Sequence, residues 1–70
     1  MEYLKKFGKN LKNIRSLKGL SQEELAERSG LHRTYISFLE RGQRNPTLTT
    51  IYKLASVLDI NVRTFFEEVE

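Results

Sequence analysis

The stretch from Ser21 to Gly42 constrains this chain more than any other. Ser21 with Glu24 three residues later forms a capping box, and Leu20 stands before it in the staple position. Leu25 and Ala26 point inward, and Gly30 ends the helix after two turns. Leu31 and His32 bridge to another helix, from about Arg33 to Arg41, closed by Gly42. Each residue of the bridge has a mechanical reason. Ala26 is small where two helices cross closely, and Gly30 admits the left-handed backbone that turns the chain. Leu31 and Ile36 plug the angle from inside. A generic helical hairpin seldom needs all four at this spacing.

The rest of the chain reads as helix too, with no strand-like alternation of useful length. Leu4, Phe7, Leu11, Ile14 and Leu17 fall in one arc of a first helix, Lys5, Lys9 and Lys12 lie opposite, and Gly19 stops it. Gly8 inside this helix points to close packing against a neighbour. Pro46 holds the chain extended before Thr47, which caps a fourth helix with Leu48, Ile51, Leu54, Ala55 and Leu58 as its buried stripe. Asn61 caps a fifth, in which Val62, Phe65, Phe66 and Val69 follow i, i+3, i+4, i+7. Glu67, Glu68 and Glu70 read as solvated.

Seventy residues make one domain, 1–70, which buries only about 60% of its unfolded surface. With no cysteine, neither disulfides nor thiolate metal sites can brace it, so close helix packing or dimerisation must. No apolar run approaches a membrane span or a signal peptide, and the expectation is a soluble, cytoplasmic protein. The net charge of +3 is unevenly spread. Residues 1–20 carry +5, 21–31 carry −2, 32–46 carry +2 and 47–70 carry −2. One anion-binding face fits that alternation.

The run Gln22-Glu23-Glu24-Leu25-Ala26-Glu27-Arg28-Ser29-Gly30-Leu31-His32-Arg33-Thr34-Tyr35-Ile36-Ser37 resembles the helix-turn-helix of phage-repressor and Cro-like transcriptional regulators. Arg33-Thr34-Tyr35-Ile36-Ser37, Leu39-Glu40-Arg41-Gly42 and Arg44-Asn45-Pro46 are similar to the controller proteins of restriction–modification systems. The resemblance implies an all-α, five-helix repressor-like domain whose third helix enters the major groove of double-stranded DNA. On the helical wheel Ile36 and Leu39 face the core, with Tyr35 at the edge. Arg33, Ser37 and Arg41 take the opposite arc, with Thr34 beside them and Phe38 on the flank.

Arg33 is the first choice for a bidentate contact to guanine O6 and N7. Thr34 and Ser37 can reach bases or phosphates, Phe38 a thymine methyl or sugar, and His32 can cap the helix or touch phosphate. Each has a bland alternative as a solvent-facing side chain. Ser21 and Gln22 at the start of the second helix, with Arg41, Arg44 and Asn45 after the third, are expected to grip the DNA backbone. Arg15 and Glu40 match a partly buried ion pair of the family, a structural role. The lysine stripe reads as a solvated face that assists long-range attraction. Glu24 belongs to the capping box and Glu23 to the helix dipole, while Glu23 with Glu27 could touch RNA polymerase, as in related activators.

A homodimer on a palindromic operator is expected, since one domain covers about half a useful site. Val57, Phe66 and Val69 are candidates for its seam, core packing being the alternative. His32 is the sole histidine and Asp59 the sole aspartate, so no carboxylate pair, phosphate loop or metal spacing appears and catalysis is rejected. No cofactor, small-molecule ligand or membrane partner is expected. The rival function is an interaction module, such as an antitoxin whose last helix masks a partner. Repression, activation and a switch between the two all stay open.

Overall fold

In the computed structural model, which describes residues 1–68, four α-helices are followed by a short 3-10 helix. They are α1 (Glu2–Leu17), α2 (Gln22–Ser29), α3 (Arg33–Glu40), α4 (Leu48–Leu58) and the 3-10 helix Val62–Phe66. Polar side chains start three of these elements. Ser21 Oγ accepts from Glu24 N–H at 3.0 Å, while Ser21 N–H donates to Glu24 Oε1 at 2.9 Å. Thr47 Oγ1 accepts from Thr50 N–H at 3.1 Å, and Asn61 Oδ1 from Arg63 N–H at 3.0 Å.

All four α-helices stop in the same way. An N–H just past the end donates to the carbonyl five residues back: Leu20 to Arg15, Leu31 to Ala26, Gln43 to Phe38 and Ile60 to Ala55, at 2.9–3.1 Å. The residue before each donor is left-handed, a glycine at 19, 30 and 42 and Asp59 at φ 56°. The turn delivers Leu20, Leu31 and Ile60 back onto the core.

That core is continuous. Leu11, Leu25, Ile36, Leu39, Leu54, Leu58 and Phe65 are fully buried at its centre. Helix α3 packs against both α1 and α2, α1 also against the 3-10 helix, and α2 against α4.

Three expectations are corrected. The last element is a five-residue 3-10 helix, not a fifth α-helix. The chain leaves this element extended at Glu67 (ψ 153°), where Asn10 Nδ2 of α1 ties it down by donating to Phe65 O at 2.6 Å and Glu67 O at 2.8 Å. Val69 lies outside the described residues. Leu17 is 86% exposed, because the chain turns at Gly19 and Leu20 takes the core position instead. Leu48 is 72% exposed, so the α4 stripe begins in effect at Ile51.

Candidate nucleic-acid interface

Helix α3 is held from behind by backbone and by charge. At Gly8, a Cβ would stand 2.3 Å from Leu39 O and 2.6 Å from Glu40 O, so only glycine lets α1 meet the end of α3 so closely. One turn further on, Gly42 (φ 72°) brings the chain against Lys5, where a Cβ would lie 2.9 Å from the Lys5 Cα. The α1–α3 contact is therefore set largely by main chain.

Beside it lies a buried polar cluster. Arg15 Nε donates to Glu40 Oε2 at 2.6 Å, Arg15 Nη2 to Glu40 Oε1 at 3.1 Å and Arg15 Nη1 to Leu20 O at 2.7 Å. Gln22 Nε2 donates to the same Glu40 Oε1 at 3.0 Å. The Glu40 side chain is 2% exposed and that of Arg15 11%, so the pair is shielded and fork-shaped. The hydrogen bond to Glu40 raises the Arg15 pKa above its already high ordinary value, against the opposing effect of burial. The cluster thus ties α1, the start of α2 and the end of α3 together.

The opposite side of α3 is open. Arg33 and Thr34 are exposed, Ser37 and Phe38 half-buried, Tyr35 half-buried at the edge. Among the described carboxylates, Arg33 Nε approaches only Glu23 Oε1, at 3.9 Å, with both side chains mostly in water. An exposed pair this loose leaves the guanidinium free to exchange partners. His32 occupies the N-cap position of α3, yet its side chain makes no capping hydrogen bond. Arg41, Arg44 and Asn45 are exposed on the loop beyond α3. The guanidinium carbons of Arg41 and Arg44 stand 5.0 and 5.2 Å from the Phe38 ring centroid.

Ser21 is exposed at the start of α2, with Gln22 half-buried beside it and its amide already engaged by Glu40. These two, Arg33, Thr34 and Ser37 belong to the two helices that cross at the turn. Val57 packs against the core and Phe66, 48% exposed, sits with its ring centroid 5.9 Å from that of Phe7. Both lie on the elements after α3, as do the exposed Leu48 and Tyr52.

Sequence reasoning missed several of these contacts. Asn10 was legible as a polar residue inside the apolar arc Phe7, Leu11, Ile14. Ser29, 5% exposed, donates from Oγ to Ala26 O and accepts from Leu31 N–H, both at 3.3 Å, and so braces the bridge. Nothing local announces the link from Gln22 to Glu40.

Comparison with known proteins agrees with this geometry. Residues 11–65 match the family model described as helix-turn-helix. The control protein C.SmaI of Serratia marcescens is 53% identical over 53 residues, which are 76% of this chain and 63% of that protein. The chain thus spans somewhat less than two thirds of that relative's length. The crystal structure of the restriction–modification controller protein C.AhdI from Aeromonas hydrophila superposes with a TM-score of 0.91 at 53% identity, over 94% of this chain and all of that one. The structure of SinR, a master regulator for biofilm formation, in complex with DNA superposes with a TM-score of 0.82 at 37% identity, covering 87% of this chain and 98% of that one.

Proposed function

The chain belongs to the helix-turn-helix family, and from that premise we propose that it is a transcriptional regulator reading a palindromic operator as a homodimer, with α3 in the major groove. The observation that carries the reading is the two-sidedness of α3. Its inner side is fixed by Gly8, Ile36, Leu39 and the Arg15–Glu40 pair, while Arg33 and Thr34 on its outer side are exposed and uncommitted.

In this reading Arg33 contacts a guanine edge, with Thr34, Ser37 and His32 contributing to neighbouring bases or phosphates. Ser21, Gln22, Arg41, Arg44 and Asn45 hold the DNA backbone on either side and set the register. Glu40 restrains the Gln22 amide, so Gln22 approaches phosphate through its backbone N–H at the start of α2. Likeness to C.SmaI and C.AhdI supports a restriction–modification operon as the regulated target. Homodimerisation through the half carrying Val57 and Phe66, joined by Leu48 and Tyr52, gives two copies of α3 one helical turn apart, about 34 Å.

Selection of bound duplexes from a random pool tests this directly. A symmetric consensus emerges, and Arg33→Ala relaxes one position per half-site by ~1–3 kcal/mol, whereas Lys5→Ala changes little. No preference over random duplex, or a monomer both in sedimentation at micromolar concentration and on DNA, sinks the reading. Glu23 and Glu27 are exposed on α2, and reversing both charges tests an activating contact with RNA polymerase. Activation is then lost without any loss of operator affinity.

A further inference from the structure

Phe38 is half-buried although it is not part of the core cluster or packed against it. Two guanidinium groups cover it instead. The Arg41 carbon lies 5.0 Å and the Arg44 carbon 5.2 Å from its ring centroid, both within cation–π range. The two charges are therefore at most about 10 Å apart, within a Debye length at 0.1 M salt. Among the described residues no carboxylate forms an ion pair with either.

The backbone explains how both arginines reach one ring. Gln43 N–H donates to Phe38 O at 2.9 Å and Gly42 N–H to Leu39 O at 3.1 Å, with Gly42 left-handed. This turn reverses the chain immediately after Arg41, and Arg44 returns over the residue that the turn starts from. Arg41 Nε also donates to Ser37 O at 3.4 Å. Two like charges gathered about one aromatic ring, with no carboxylate of the described residues paired to either, are arranged for an anion from outside.

We propose that Phe38 is a positioning residue: it orders Arg41 and Arg44 as a two-guanidinium clamp for the DNA backbone, and it reads no base. The proposal rests on the DNA-binding reading and replaces the thymine contact that the helical wheel offers for Phe38. An aromatic support lowers the entropy lost when flexible arginines dock on phosphate, since part of their freedom is already given up in the free protein. Its contribution is therefore independent of sequence, whereas a base contact is confined to one position.

The test is binding of a labelled random-sequence duplex at a series of salt concentrations, with a thermal melt of each variant. Arg41→Ala and Arg44→Ala each reduce the slope of log K against log salt by about 1. Phe38→Leu weakens binding about fivefold, as expected for the loss of two exposed cation–π contacts, with an unchanged melting temperature. Phe38→Tyr and Phe38→Trp restore affinity because they restore the ring face. In the Arg41→Ala, Arg44→Ala background, Phe38→Leu has no further effect. The proposal is overturned if Phe38→Leu binds random duplex as wild type does, if it costs as much without the arginines, or if its loss is confined to one base position of the selected operator. Wild-type protein that binds no duplex overturns the DNA reading itself.

Discussion

The two halves of the molecule differ in how they treat polar groups: one buries several, the other none among the described residues. From α1 to α3, charged and polar groups go inside: Glu40, Asn10 and Ser29 are at most 8% exposed, and each has hydrogen-bond partners. From α4 onward, among the described residues, no polar group is buried and large apolar groups stay outside: Leu48 is 72% exposed, Tyr52 61% and Phe66 48%, whereas the exposed apolar groups of the first half, Met1, Tyr3 and Leu17, sit at the ends of α1. Burying a charge is costly unless it is paired, and an apolar patch on the surface gains nothing in a lone molecule. The first departure fixes the angle of one helix and contributes to shape. The second adds little to the isolated fold beyond the Phe66–Phe7 ring contact, and that half is the one through which dimerisation is proposed.

The largest effect that separates the halves comes from Glu40→Ala. It leaves Arg15 largely buried with only Leu20 O for company and releases Gln22, so a loss of about 3 kcal/mol in urea unfolding is expected. A loss below about 1 kcal/mol would place the cluster on a par with an ordinary surface pair and erase the contrast. Gly8→Ala comes next. Its methyl must push the α3 carbonyls away, and about 2 kcal/mol is expected, with weaker duplex binding because α3 shifts.

Ser21→Ala removes a cap and costs about 1 kcal/mol. The pH dependence of the same box has a definite sign. The Ser21 backbone N–H, then its hydroxyl, hold the Glu24 carboxyl below its ordinary value. The contribution is therefore whole above the unfolded value, about 4.3, and fades as pH falls through the lower folded value. Glu24→Gln flattens that acid limb; a limb of unchanged steepness assigns it to other carboxylates. Smallest in stability is the pair Leu48→Ser with Tyr52→Ser, within about 0.5 kcal/mol. Its readout is sedimentation, where self-association falls. A large drop in melting temperature at a protein concentration where the chain is monomeric would mean that these side chains serve the fold.

Much of the architecture was legible because helix ends are local events. Ser21 with Glu24, Thr47, and the glycines at 19, 30 and 42 fall where the structure starts and stops its helices. The inward set of α3, Ile36 and Leu39, followed from its period alone. What failed was decided at a distance. The spacing of Val62, Phe65 and Phe66 suits an α-helix, but the chain runs extended at Glu67, where Asn10, some 55 residues earlier, holds the Phe65 and Glu67 carbonyls. Leu17 obeys the periodicity of α1 and is displaced by Leu20, which a turn outside that helix folds inward. In the candidate interface, Arg33 and Thr34 could be placed on the outer face from spacing. The hold of Glu40 on Gln22 and the gathering of two arginines over Phe38 required three dimensions, because each joins separate elements or turns.

The contact at Gly8 has a consequence for how such a protein can change. Helix α3 leans on α1 through its own carbonyl groups, which every amino acid carries, and not through the side chains of its outer face. Replacing Arg33, Thr34 or Ser37 therefore leaves the support untouched, and a new set of outer residues inherits the same angle of presentation. The vocabulary of the proposed reading surface can be rewritten while its grammar is kept. Exchange of those three residues for another set should retarget the protein without any compensating change in α1.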